Sequence, residues 1–166
     1  MAFFQEVVQI TGSDWRTVDK GLWVIGSRLT KGPNPPPPPI AVPPSIIPIP
    51  QHILDYVLKE LRKLKGEIPF RVRGIKITIE LIKATMEILN AEPSKTLPQN
   101  CLNGSVEKTP DGLDRRIKEY LGTDLRTANI ISDVLAEVGI VDVIQVVNPP
   151  TGRSVKGTRL RSEWTW

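Results

Sequence analysis

From Gln51 onward, Ile53, Leu54, Val57, Leu58, Leu61 and Leu64 recur at intervals of three and four, which places them on one stripe of a helix. Lys59, Arg62, Lys63 and Lys65 fall mostly on the other side, so the pattern predicts an amphipathic helix that ends at Gly66. Glu67 to Gly74 reads as a short extended segment around Pro69. Thr78 begins a second helix, with Leu81, Ile82, Thr85, Ile88 and Leu89 on the inward stripe and Glu80, Lys83 and Glu87 on another; Pro93 ends it. Pro93 to Gly112 is a loop long enough to be an insertion or to hide a short strand. A third helix, Leu113 to Leu121, stops at Gly122.

Thr123 or Asp124 caps a fourth helix, whose inward positions are Leu125, Ala128, Ile131, Leu135 and Val138, and Gly139 terminates it. Ile140 to Val147 is dense in β-branched residues and too short for another helix. A turn at Asn148-Pro149-Pro150-Thr151-Gly152 and a returning strand, Val155 to Arg161, complete a hairpin. Upstream, residues 1–30 hold a candidate helix capped by Ser13 or Asp14, with Trp15, Val18, Leu22, Trp23 and Ile25 near helical spacing. Residues 31–50 carry ten of the chain's 16 prolines, which excludes helix and central strand and predicts a polyproline II linker. Its Ile40, Val42, Ile46, Ile47 and Ile49 could anchor it in an aromatic-lined groove of a protein partner. The expected organisation is therefore an N-terminal segment (1–30), the linker (31–50), a basic amphipathic helix with a short extended segment (51–74) and a folded domain (75–166).

Composition narrows the classes. The chain has 166 residues, 40% hydrophobic and 24% charged, with one cysteine and one histidine. Cys101 cannot form an internal disulfide, and with His52 it cannot build a structural zinc site. MAFFQEVVQI contains Glu6 and no basic start before an apolar run, and proline interrupts the longest apolar stretches. A signal peptide and a transmembrane helix are not expected, and a cytoplasmic location is. Few glutamines and asparagines, one cysteine and many isoleucines lean toward a thermophilic or archaeal source. Net charge is +4, and its distribution is informative. Gln51 to Asn90 carries eight cations against five acids, and Asn148 to Trp166 carries Arg153, Lys156, Arg159 and Arg161 against Glu163, whereas Thr109 to Val147 is net acidic.

Three helices with a short turn at Gly122 between the last two, closed by a hairpin with a basic tip, resemble the winged helix-turn-helix superfamily over Ile75 to Arg161. The expected fold is mainly α with a small β-hairpin. The resemblance implies a last helix lying in the DNA major groove, with Arg126, Thr127, Asn129, Ile130 and Asp133 facing it. It also implies a wing carrying Arg153, Lys156 and Arg159 onto the backbone or minor groove, with Arg161 completing the basic cluster. Arg126 suits guanine and Asn129 suits adenine. Asp133 and Glu137 share the exposed stripe and oppose phosphate by roughly 1 kcal/mol each.

Catalytic signals are missing: His52 is the only imidazole, and the chain contains no nucleophile elbow, phosphate-cradling loop or zinc-hydrolase motif. No enzyme activity, cofactor or metal is expected. The leading expectation is a non-catalytic protein binding double-stranded DNA, a transcriptional regulator or nucleoid component. The rival is an interaction module that docks through the proline-rich strip. A homodimer through the apolar stripe of Gln51 to Lys65 is a further expectation, and Trp164 and Trp166 either cap the core or stack on unpaired bases.

Overall fold

The computed structural model describes residues 45–149 and 151–166. The expected helix at 1–30 and the linker up to Pro44 lie outside them. Among the described residues there are four α-helices, a two-stranded ribbon and a three-stranded antiparallel sheet. This is a mixed α/β arrangement, with more sheet than the single hairpin the sequence suggests. No helix among them is long and apolar enough to cross a membrane.

Helix α1 (Gln51–Lys65) begins directly after Pro50, whose carbonyl accepts from the amides of Ile53 and Leu54 at 3.1 Å each. It ends at Gly66, where φ is 85° and the amide donates to Arg62 O. Ile53, Leu54, Val57, Leu58 and Leu61 are buried in the same hydrophobic cluster as the C-terminal half, while Leu64 remains exposed. Each buried aliphatic contributes about 1.5–3 kcal/mol of transfer free energy. The chain's own core thus covers the stripe for which a second copy is the sequence expectation. Helix α1 belongs to the folded body.

Strands β1 (Phe70–Val72) and β2 (Ile75–Ile77) pair antiparallel as a tight hairpin across Arg73-Gly74. Both turn residues have positive φ, 48° and 84°, as a two-residue turn matched to strand twist requires. The boundary expected at 74/75 falls inside this turn. Helix α2 (Ile79–Ala91) is capped by Thr78, whose Oγ1 accepts from Leu81 N at 3.3 Å. It is the central element, buried on nearly every side from Leu81 to Asn90. Glu87, expected on an outward stripe, is only 2% exposed; its carboxylate accepts from Ile49 N (2.9 Å) and Tyr120 OH (2.7 Å). Ile49 is buried as well, so the end of the proline tract is fastened to the core, whereas Ile46 and Ile47 are exposed.

The loop after α2 does hide a short strand, β3 (Thr96–Pro98), and a single 3-10 turn at Val106–Lys108. Helix α3 (Leu113–Leu121) ends at Gly122 in the left-handed conformation. Helix α4 (Ala128–Glu137) leads into β4 (Val141–Val147) and β5 (Ser154–Leu160). The sheet order is β3-β5-β4, with Leu97 opposite Thr158 and Val143 opposite Thr158 on its other side. Gly157 permits the close packing at its centre, because a Cβ there would lie 2.7 Å from the Val146 methyls.

The C-terminal tryptophans close the body. The Trp164 ring stacks on Tyr56 at 4.8 Å between centroids, and its Nε1 donates to Gly139 O. Trp166 exchanges hydrogen bonds with Asn90 and donates from Nε1 to Ile47 O. Both pack against the core, in the capping role.

Candidate nucleic-acid interface

Helix α4 starts three to four residues later than Thr123 or Asp124 capping implies, and the cause is a partner distant in sequence. Asp114 on α3 places Oδ1 2.9 Å from Thr127 N and 3.0 Å from Ala128 N, satisfying the first free amides of α4. Neither Thr123 nor Asp124 caps it, and Leu125 is 57% exposed. Asp114 and Lys118 form an ion pair at 3.2 Å with both side chains fully buried. Lys118 Nζ also donates to Leu102 O, Gly104 O and Thr109 Oγ1 at 2.6–2.9 Å. One buried pair therefore holds the α3–α4 corner and the loop before α3 together. The sequence signal was present, an i, i+4 pair of Asp114 and Lys118 each directly following a core residue, Leu113 and Ile117, yet such a pair ordinarily reads as solvated.

The late start changes which residues α4 presents. Thr127 (3% exposed) and Ile130 (7% exposed) are buried, so two of the five expected groove-facing residues serve the core instead. Arg126 is exposed just before the helix, and Asn129 and Asp133 are partly exposed. Asp133 lies 3.5 Å from Arg73 Nη1 of the β1–β2 hairpin, and Glu137 lies 2.5 Å from Lys65 Nζ of α1. The two acids expected to oppose phosphate are each matched by a cation from residues 51–77. Arg73 and Ile75 of the hairpin and Asp124, Leu125, Arg126, Asn129 and Ile130 around the start of α4 line one cleft of about 530 Å³.

Strand alternation divides the basic cluster of the second hairpin. Thr158 faces α4: its hydroxyl lies 2.6 Å from Ser132 Oγ and accepts from Gln99 Nε2 at 3.1 Å, all three side chains being buried. Lys156, two residues earlier, shares that face of the sheet beyond the core and is exposed. Arg159 points to the other face, where it stands directly opposite Asp142. Asp142 takes Arg159 Nη2 at 2.9 Å and Arg161 Nε at 2.8 Å, and the Arg159 hydrogen bond leads in holding its carboxyl below the usual range. The structure thus splits the expected nucleic-acid set. Arg159 and Arg161 share one internal carboxylate, while Arg153 and Lys156 are exposed with no ion-pair partner among the described residues.

Sequence reasoning missed the β1–β2 hairpin. Its signal is the alternation Phe70, Val72 and Ile75, Ile77 about Arg73-Gly74, which lacks the Asn-Gly or Asp-Gly that usually marks such a turn. Burial pushes the Cys101 thiol up, and the Asp114 carboxylate pushes it further, which disfavours the thiolate.

No protein-family model, curated protein or solved structure matches the chain.

Proposed function

We propose that the chain is a non-catalytic protein that binds double-stranded DNA with a winged helix-turn-helix arrangement, as a transcriptional regulator or nucleoid component. Helix α2, β3, helices α3 and α4, and the β4–β5 hairpin follow one another in that fold's order, with β3 pairing on β5. The observation that carries the reading is the placement of Lys156. It stands on the α4 side of the sheet, beyond the Thr158–Ser132 contact, without an acid partner among the described residues. Arg153 adds a second exposed cation at the base of the same turn. Arg126 supplies the limited base contact, since the Asn129 Oδ1 is buried, and pairing of Asp133 with Arg73 and of Glu137 with Lys65 reduces the repulsion those acids would exert.

The test is a titration of the chain with random-sequence duplex at two salt concentrations. Affinity falls steeply with salt, because each phosphate contact releases condensed counterions. Absence of binding at low salt would rule the reading out. The second reading, a winged-helix protein-interaction module, draws support from two exposed apolar side chains, Leu125 and Val147, 57% and 66% exposed. Salt-insensitive behaviour toward DNA, with solution association abolished by Leu125→Ser, would favour it.

A further inference from the structure

The β1–β2 hairpin is built from two faces with different tasks. Phe70, Val72, Ile75 and Ile77 pack against the core, so alternation sends Arg71 and Lys76 to the outer face, where both are exposed. The register places Arg71 directly opposite Lys76. Like charges in that position repel one another, and neither has an ion-pair partner among the described residues. Arg71 Nη1 instead donates to Gly74 O at 2.7 Å, which directs its guanidinium along the ribbon toward the turn. At the turn stands Arg73, in a left-handed conformation (φ 48°) that glycine or asparagine adopts at lower cost. A strained turn residue and a repelling cross-strand pair, both cationic, on one two-stranded ribbon are poor choices for stability alone.

The ribbon is also placed beside the candidate interface. Arg73 reaches Asp133 on α4, and Arg73 and Arg126 line the same cleft at the start of that helix. We infer that the β1–β2 hairpin is a second basic prong for the duplex, with Arg71 and Lys76 contacting phosphates alongside α4 and Arg73 both contacting phosphate and shielding Asp133. A phosphate between Arg71 and Lys76 turns their repulsion into attraction to a common anion. The inference rests on the duplex-binding reading and extends the contact surface to Arg71 and Arg73, which precede the stretch that resembles a winged helix.

The experiment compares the full chain with Arg71→Ala/Lys76→Ala, Arg73→Gly and Arg153→Ala/Lys156→Ala, using a fluorescent random-sequence duplex over a range of salt. Thermal melting of each variant is measured in parallel. In the double hairpin variant the slope of log affinity against log salt falls by about 1.8, at ~0.9 per phosphate contact, with the melting temperature held or raised. Arg73→Gly likewise melts no lower, since glycine suits the turn, yet binds more weakly. Unchanged affinity and slope in both hairpin variants, alongside weakened binding by Arg153→Ala/Lys156→Ala, would overturn the inference and leave the duplex reading standing. Failure of the unaltered chain to bind would remove both. Tighter binding to duplex RNA of the same sequences would assign the ribbon to RNA and overturn the DNA proposal.

Discussion

The Asp114 carboxylate lies 3.2 Å from the Lys118 ammonium with both side chains sealed from solvent, and Asp114 simultaneously caps α4 through two amides. A buried pair repays its desolvation only when the remaining donors and acceptors are satisfied. Here they are, by the amides of Thr127 and Ala128 on one side and by Leu102 O, Gly104 O and Thr109 Oγ1 on the other.

Removing one member leaves the other charge buried and alone. Asp114→Ala and Lys118→Ala are each expected to destabilise the fold by about 3–5 kcal/mol, read as a lower midpoint in urea denaturation. In a double-mutant cycle the two costs are far from additive. Additive costs would show that the pair does not act as a unit.

Asp142 pairs with both Arg159 and Arg161. Asp142→Asn releases both guanidiniums, and duplex affinity at low salt is expected to rise several-fold, with a steeper salt dependence. The same pair sets a pH dependence. The folded carboxyl titrates below its ordinary 3.8, so its contribution to stability is complete above 3.8 and is lost as pH falls from there through the folded value. Acid titration of the melting temperature should show that loss in the unaltered chain and not in Asp142→Asn.

Arg126 and Ile130 are four residues apart and have different fates, one exposed and one 7% exposed. Arg126→Ala is expected to change preference among duplex sequences without lowering the melting temperature. Ile130→Ala is expected to cost about 2–5 kcal/mol of stability, as other large-to-alanine core truncations do. Selection of bound sequences from a random pool, with parallel melting curves, separates the two effects.

Glu87 and Tyr120 form a contact that reports on alkaline pH. The hydrogen bond from Tyr120 OH to the Glu87 carboxylate leads in raising the phenol above its ordinary 10.0. The bond's contribution to stability is present below 10.0 and is lost as pH rises through the folded value. Glu87→Gln is expected to bring the phenolate absorbance transition of Tyr120 down toward 10.0. An unmoved transition would show that the carboxylate does not govern it.

Periodicity alone determined where α1, α2 and α3 run, and it placed both strands of the C-terminal hairpin to within a residue or so. Those elements carry their own signals: an apolar stripe at three-and-four spacing, a stop at Gly66 or Gly122, a run of β-branched residues. What a residue touches across the fold was decided by packing. The start of α4 depended on Asp114, thirteen residues upstream of Thr127, and the burial of Glu87 depended on Ile49 and Tyr120 arriving from either side. Four cations within nine residues look like one cluster in a string, yet alternation of the strand and the presence of Asp142 send Arg159 and Lys156 to opposite faces. Local backbone preference acts between near neighbours and can be read along the chain, whereas charge compensation and burial arise only when distant segments meet.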